Sequence, residues 1–124
     1  MRILIVEDDE VVQGVLKAYL LHYGAAHQDP VDVQMMPDAR RAMDLLTTGD
    51  DICDVLFLDV RMPGLGGDEI YTTLMRVKPQ MLGRIVFVTG YRDDLVARFP
   101  ALKLNILDKP FRYRQLLEAM AAIA

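Results

Sequence analysis

Residues 54–67 read DVLFLDVRMPGLGG. Val55-Leu56-Phe57-Leu58 shows no polar alternation, the pattern of a strand covered on both faces, and it runs directly into Asp59. Further on, Ile70, Leu74 and Val77 recur at helical spacing until Pro79, whose ring and missing N–H cannot continue a helix. The stretch predicts a strand over Asp54–Leu58, a carboxylate at its carboxyl end, and a helix returning over the sheet.

The same grammar repeats on either side. Runs ILIV (Ile3–Val6) and IVFV (Ile85–Val88) also lack alternation. Strands are predicted over Arg2–Val6, Asp32–Met36, Arg84–Thr89 and Leu104–Leu107 in addition to Asp54–Leu58. Between them the apolar period becomes helical. Val11, Val12, Val15, Leu16, Tyr19, Leu20 and Tyr23 form one helix with Gly24 as its stop, and Ala39, Ala42, Met43, Leu45 and Leu46 form a second that ends near Gly49. Asp93–Phe99 is a short fourth helix, acidic at its positive end and followed by Pro100. Tyr113, Leu116, Leu117, Met120 and Ile123 form the last. Five βα units imply a parallel sheet wrapped on both faces by right-handed crossovers, and at this length the flavodoxin-like doubly wound order 2-1-3-4-5.

Composition narrows the function classes. The 124 residues carry a formal net charge of −4, which is weak ground for a nucleic-acid surface because phosphates call for clustered Lys and Arg. Apolar runs are far shorter than the 18 or more residues of a membrane span, and the acidic start is no signal peptide. With no linker, repeat or composition break, residues 1–124 are expected to be one domain without an effector module. A single cysteine, Cys53, excludes an internal disulfide and fits a cytoplasmic setting; the thiol is expected to be packed. The eight methionines are expected to be gap-filling.

Open α/β sheets bind ligands beyond the carboxyl ends of their strands. Glu7, Asp8 and Asp9 follow the first strand, Asp59 the third, Thr89 ends the fourth, and Lys109-Pro110 follow the fifth. Singly, an acidic run is most often a helix start and a lone Asp a cap. Together, with strands 1 and 3 adjacent, Glu7 and Asp59 should come within several ångströms. Two carboxylates about 5 Å apart at an effective dielectric near 20 repel by roughly 3 kcal/mol, so three cannot all stay ionised unaided. A divalent cation and the Lys109 ammonium are the available compensation. Oxygen-only ligands favour Mg²⁺; His22 and His27 fall elsewhere and are not expected to be ligands. Glu7 and Asp8 then read as metal holders, Thr89 and Lys109 as partners of phosphoryl oxygens, and Asp59 as a nucleophile that forms an acyl phosphate.

ILIVEDD, FLDVRMPGLGG, FVTGY and LDKPF, in this order at these strand ends, resemble a response-regulator receiver domain of two-component signalling over essentially the whole chain. The resemblance implies that Asp59 takes phosphate from a phosphohistidine on a sensor histidine kinase or histidine phosphotransfer protein. It implies Mg²⁺ on Asp8, Asp59 and the main-chain carbonyl of Arg61, with Glu7 acting through water. Thr89 and Lys109 would bind phosphoryl oxygens, Lys109-Pro110 would be cis, and Met62, Pro63, Gly64 and Gly67 would shape the turn after Asp59. Asp9 is given no required contact.

Three features depart from that pattern. Ile106 stands where an aromatic switch residue is usual, with Tyr91 a substitute or a surface-packing residue. No Gly-Ala step precedes the last strand, so the fourth helix and fifth strand are not expected to pair in the usual way. Gln28–Val33 suggests a lengthened connection. Arg61 and Tyr91 are expected to flank the phosphoryl group and impede attacking water. Three rival readings fit less well. A haloacid-dehalogenase-type phosphatase needs Asp-x-Asp after its first strand, a flavodoxin-like cofactor binder needs a Gly- and hydroxyl-rich loop there, and a degenerate receiver would lack the site residues.

Overall fold

The computed structural model describes residues 1–123. It has β1 (Arg2–Val6), α1 (Glu10–Ala26), β2 (Asp32–Met36), α2 (Ala39–Thr48), β3 (Val55–Asp59), α3 (Gly67–Val77), a 3-10 turn (Pro79–Arg84), β4 (Ile85–Thr89), α4 (Arg92–Arg98), β5 (Ile106–Asp108) and α5 (Tyr113–Ala121). All pairings are parallel and the sheet order is β2-β1-β3-β4-β5, as the alternation predicts. The fold is flavodoxin-like.

Side-chain alternation along the strands divides the core in two. Leu4, Val6, Leu56, Leu58 and Phe87 face α2 and α3, where Ala42, Leu46, Ile70 and Leu74 meet them. Ile3, Ile5, Phe57, Val86 and Val88 face α1 and α5, against Leu16, Leu20, Leu116 and Met120. Burial on both sides is why the runs ILIV, VLFL and IVFV show no polar alternation.

Several boundaries differ from the sequence reading, each for a local reason. β3 begins at Val55, because Asp54 spends its carboxylate on Arg2, accepting from the backbone N at 2.7 Å and from Nη2 at 3.2 Å. It extends through Asp59, which pairs with Val88 of β4. Arg84 belongs to the 3-10 turn and donates from Nη1 to the Cys53 carbonyl at 3.1 Å. β5 comprises Ile106–Asp108, not Leu104–Leu107: Leu104 packs against the core, and the Asn105 amide donates to the Ala119 carbonyl at 2.8 Å. α4 starts one residue earlier, at Arg92, and ends at Arg98.

Gly24 does not stop α1, which runs on to Ala26. The following loop folds back over this buried glycine, whose carbonyl oxygen accepts from Asp29 N at 2.9 Å. A Cβ at position 24 would stand 2.8 Å from the Asp29 carbonyl oxygen, so the glycine admits the loop and does not end the helix. The connection into β2 is residues 27–31, with Gln28 at φ 51°.

Candidate functional site

The carboxyl edge of the sheet collects the polar residues. Register places Val6 beside Leu58, so Glu7 and Asp59 leave adjacent strands at the same level. Glu7, Asp59 and Thr89 are 1%, 4% and 1% exposed, deep for groups of this polarity, whereas Asp8 is exposed at the mouth. Oxygens of Glu7, Asp8 and Asp59 lie within 4.8 Å of one another. Lys109, from beyond β5, brings Nζ to 2.9 Å from Glu7 Oε1 and 3.5 Å from Asp59 Oδ1.

Each group is held from behind. Glu7 Oε2 accepts from the backbone N of Asp8 (3.0 Å) and Asp9 (3.3 Å), and Gln13 Nε2 donates to the Glu7 carbonyl at 2.7 Å. Asp59 Oδ1 accepts from the Arg61 backbone N at 3.3 Å. Thr89 Oγ1 accepts from Tyr91 N at 2.9 Å, which leaves its hydroxyl proton to donate into the cleft, and Lys109 N donates to Thr89 O at 2.9 Å. The turn after Asp59 needs its glycines. Gly64 sits at φ 81°, and a Cβ on Gly67 would lie 2.2 Å from the Asp59 carbonyl oxygen. The Lys109-Pro110 bond is cis.

Electrostatics show a cluster short of positive charge. Burial pushes the Glu7 carboxyl above its ordinary range, and nearby Asp59 adds to that while Lys109 opposes it. For Lys109 burial is the largest single influence and lowers its pKa. Hydrogen bonding and charge from Glu7 and Asp59 together outweigh it and hold the ammonium above its usual value. The Lys109 ammonium meets the buried Glu7 Oε1 at 2.9 Å, and this one cation is set against three carboxylates. Three gathered carboxylates facing a single ammonium, an all-oxygen set, are the environment of a hard divalent cation.

At the rim, the Arg61 guanidinium lies 3.5 Å above the centre of the Tyr91 ring, and its Nη2 is 2.5 Å from Asp94 Oδ2 on α4. Arg92 grips Asp108 with Nε at 2.9 and 3.0 Å and Nη2 at 2.7 Å. α4 and β5 are thus tied by an ion pair beside Ile106. Asp94, Asp108, Arg92 and Gln13 escape the sequence reading: a charge in a helical first turn or at an edge looks the same whether it faces water or a partner. Asp9 is the N-cap of α1, accepting from Val11 N (2.8 Å) and Val12 N (3.3 Å). The histidines stand apart, His22 edge-on to Tyr113 at 4.9 Å and His27 stacked on Tyr23 at 4.1 Å. Cys53 is buried, and burial pushes its thiol up to about 11, which makes it a packed and unreactive group.

Comparison with known proteins gives one consistent picture. The sequence model of the family described as "Response regulator receiver domain" matches residues 3–121. Response regulator MprA of Mycolicibacterium vanbaalenii is 31% identical over 99% of this chain and 50% of its own length. Nodulation protein W of Bradyrhizobium diazoefficiens is 38% identical over 63% of this chain and 34% of its own. The chain therefore spans half or less of the length of these curated relatives. Among solved structures, chemotaxis protein CheY4 of Vibrio cholerae superposes with TM-score 0.73 at 22% identity, covering 99% of this chain and 98% of that one. The receiver domain of a Pseudomonas aeruginosa sensor histidine kinase, solved with a magnesium ion coordinated in the active site cleft, gives 0.76 at 24%, covering 98% and 95%. These structural likenesses speak to the fold.

Proposed function

The chain belongs to the response regulator receiver domain family of two-component signalling, and on that premise we propose that Asp59 is its phosphoacceptor. The observation that carries the reading is a buried Asp59 gathered with Glu7 and Asp8, with the Lys109 ammonium 3.5 Å away. A phosphohistidine on a sensor histidine kinase or histidine phosphotransfer protein is the donor. Both contacts described for the Asp59 carboxylate fall on Oδ1, so Oδ2 is the attacking oxygen. A P–O bond forms, the P–N bond breaks, and the imidazole leaves with the electron pair. Lys109 turns from the carboxylates to one phosphoryl oxygen, and the Thr89 hydroxyl donates to another.

Asp8, Asp59 and the Arg61 carbonyl would hold Mg²⁺, with Glu7 behind a water; the ion supplies positive charge that offsets the phosphoryl oxygens. The magnesium-bound cleft of the Pseudomonas receiver supports that choice. Arg61 and Tyr91 cover the rim and slow water's approach to the acyl phosphate. Residues 1–124 act as a single receiver unit in the cytoplasm, not as a turnover enzyme and not as a direct nucleic-acid binder, and switch the affinity for a downstream protein. No described helix is long and apolar enough to cross a membrane.

The deciding test is mass spectrometry after incubation with Mg²⁺ and a small phosphoryl donor. Wild type gains one phosphoryl group and Asp59→Asn gains none; equal labelling of both rejects the assignment. In Arg61→Asn combined with Tyr91→Ala, the acyl phosphate decays faster by about three- to tenfold, about 0.7–1.4 kcal/mol off the barrier. An unchanged decay rate removes the shielding role.

A further inference from the structure

α4 buries one residue, Leu95, and is otherwise tied down by arginine–aspartate pairs to three neighbours. Arg92 holds Asp108 at the end of β5, Arg98 Nη1 lies 2.9 Å from Asp68 Oδ2 in the first turn of α3, and Asp94 holds Arg61. The third pair differs in kind, because Arg61 also belongs to the cleft. Its backbone N donates to Asp59 Oδ1, and its guanidinium stacks on Tyr91, whose backbone N donates to Thr89. One cation thus links α4 to the rim of the cleft that holds Asp59.

We propose that Asp94 is a positioning residue: it holds the Arg61 guanidinium away from Asp59 in the unmodified protein, and a phosphoryl group on Asp59 takes that guanidinium over, which leaves the Arg92–Asp108 pair as the one ion pair still holding the first turn of α4. The inference rests on Asp59 being the phosphoacceptor. Two observations favour the exchange. The side chains of Arg61 and Asp94 are 56% and 67% exposed, so water and salt screen their pair and it is weakly held. A phosphoryl group offers the guanidinium fork more negative charge and three acceptor oxygens. Once Arg61 leaves, the residues ahead of the buried Leu95 keep only the exposed Arg92–Asp108 pair, since Arg92, Asp93 and Asp94 make no buried contact of their own. By linkage, whatever affinity Asp94 withholds from the phosphoryl group must reappear when Asp94 is neutralised.

That sign separates positioning from simple structural support, because damage to α4 would weaken binding. The test is titration of the Mg²⁺-loaded protein with beryllofluoride, a phosphoryl mimic, read by tyrosine fluorescence and by backbone amide shifts of α4. Asp94→Asn is expected to bind it about two- to fivefold more tightly than wild type, which corresponds to about 0.4–1 kcal/mol for an exposed ion pair. Asp94→Glu is expected to restore wild-type affinity. Arg98→Gln, which cuts a different tie of the same helix, is expected to leave affinity unchanged. In an Arg61→Met background, Asp94→Asn should have no further effect, and the α4 amides should cease to respond to beryllofluoride.

Equal or weaker binding by Asp94→Asn overturns the proposal, as does the same gain in the Arg61→Met background. If wild type neither binds beryllofluoride nor gains a phosphoryl group at Asp59, the phosphoacceptor reading fails and the inference falls with it. If wild type does both and Asp94→Asn is not tighter, only the role of Asp94 fails.

Discussion

Gly67 shows how little room Asp59 has. A Cβ there would lie 2.2 Å from the Asp59 carbonyl oxygen and 2.9 Å from its carbonyl carbon, so backbone would have to move against backbone. Gly67 N also donates to Val60 O at 3.0 Å, pinning the start of α3 onto the turn. Overpacking of this kind costs about 1–3 kcal/mol. Gly67→Ala is expected to lower stability by that amount in urea denaturation and also to slow phosphorylation, since the displaced atoms are those of Asp59 itself. At Gly14, where a new Cβ would meet nothing within 4 Å, Ala is expected to do no such harm. A variant Gly67→Ala as stable as wild type would mean that α3 and the turn can part without loss.

At the scale of elements, the acidic run after β1 divides its work. Asp9 caps α1 through two backbone N–H groups, and Glu7 and Asp8 face Asp59. Replacing an N-cap aspartate by alanine costs about 1 kcal/mol, so Asp9→Ala should lose that much stability while still accepting a phosphoryl group. Asp8→Ala should show the reverse: near-normal stability without Mg²⁺, and lost metal binding. If both variants behave alike, the division is wrong. The run illustrates what was legible in the sequence. Asp59, Thr89 and Lys109 could be found because strand ends are fixed by unbroken apolar runs, and chain order then sets which ends are neighbours. Gly24 misleads because a glycine admitted for close approach and a glycine ending a helix are the same letter. Arg92, Asp94 and Asp108 were not legible as partners, since the α4 pairings depend on rotation of a short helix that only Leu95 anchors in the core. Ile106 is legible as a departure from the family pattern, whereas the ion pair that ties Arg92 of α4 to Asp108, two residues on, is visible only in three dimensions.

At the scale of the molecule, the sheet brings Glu7, Asp8 and Asp59 together whether or not a cation is present to join them. The two core layers are apolar and closed, so the fold cannot relieve this repulsion by opening one strand end without unzipping the β1–β3 ladder that carries Leu56, Phe57 and Leu58. A cation that binds only where these oxygens are gathered binds the folded chain and not the unfolded one. It therefore stabilises the whole domain by RT ln(1 + [Mg²⁺]/Kd), about 2.7 kcal/mol at one hundred times Kd. For a domain of this size that is a rise in Tm of about 8–14 °C, at roughly 3–5 °C per kcal/mol. A thermal melt in excess Mg²⁺ should show this rise for wild type, and EDTA should remove it. Asp8→Ala should show a small remainder at most, because Glu7 and Asp59 alone, already partnered by Lys109, give the ion too few oxygens. Asp9→Ala, weakened at its helix cap, should melt lower than wild type yet gain the same increment from Mg²⁺. An equal rise in Asp8→Ala would place the stabilising ion away from this cluster, and no rise in wild type would mean that Lys109 alone is sufficient compensation for the three carboxylates.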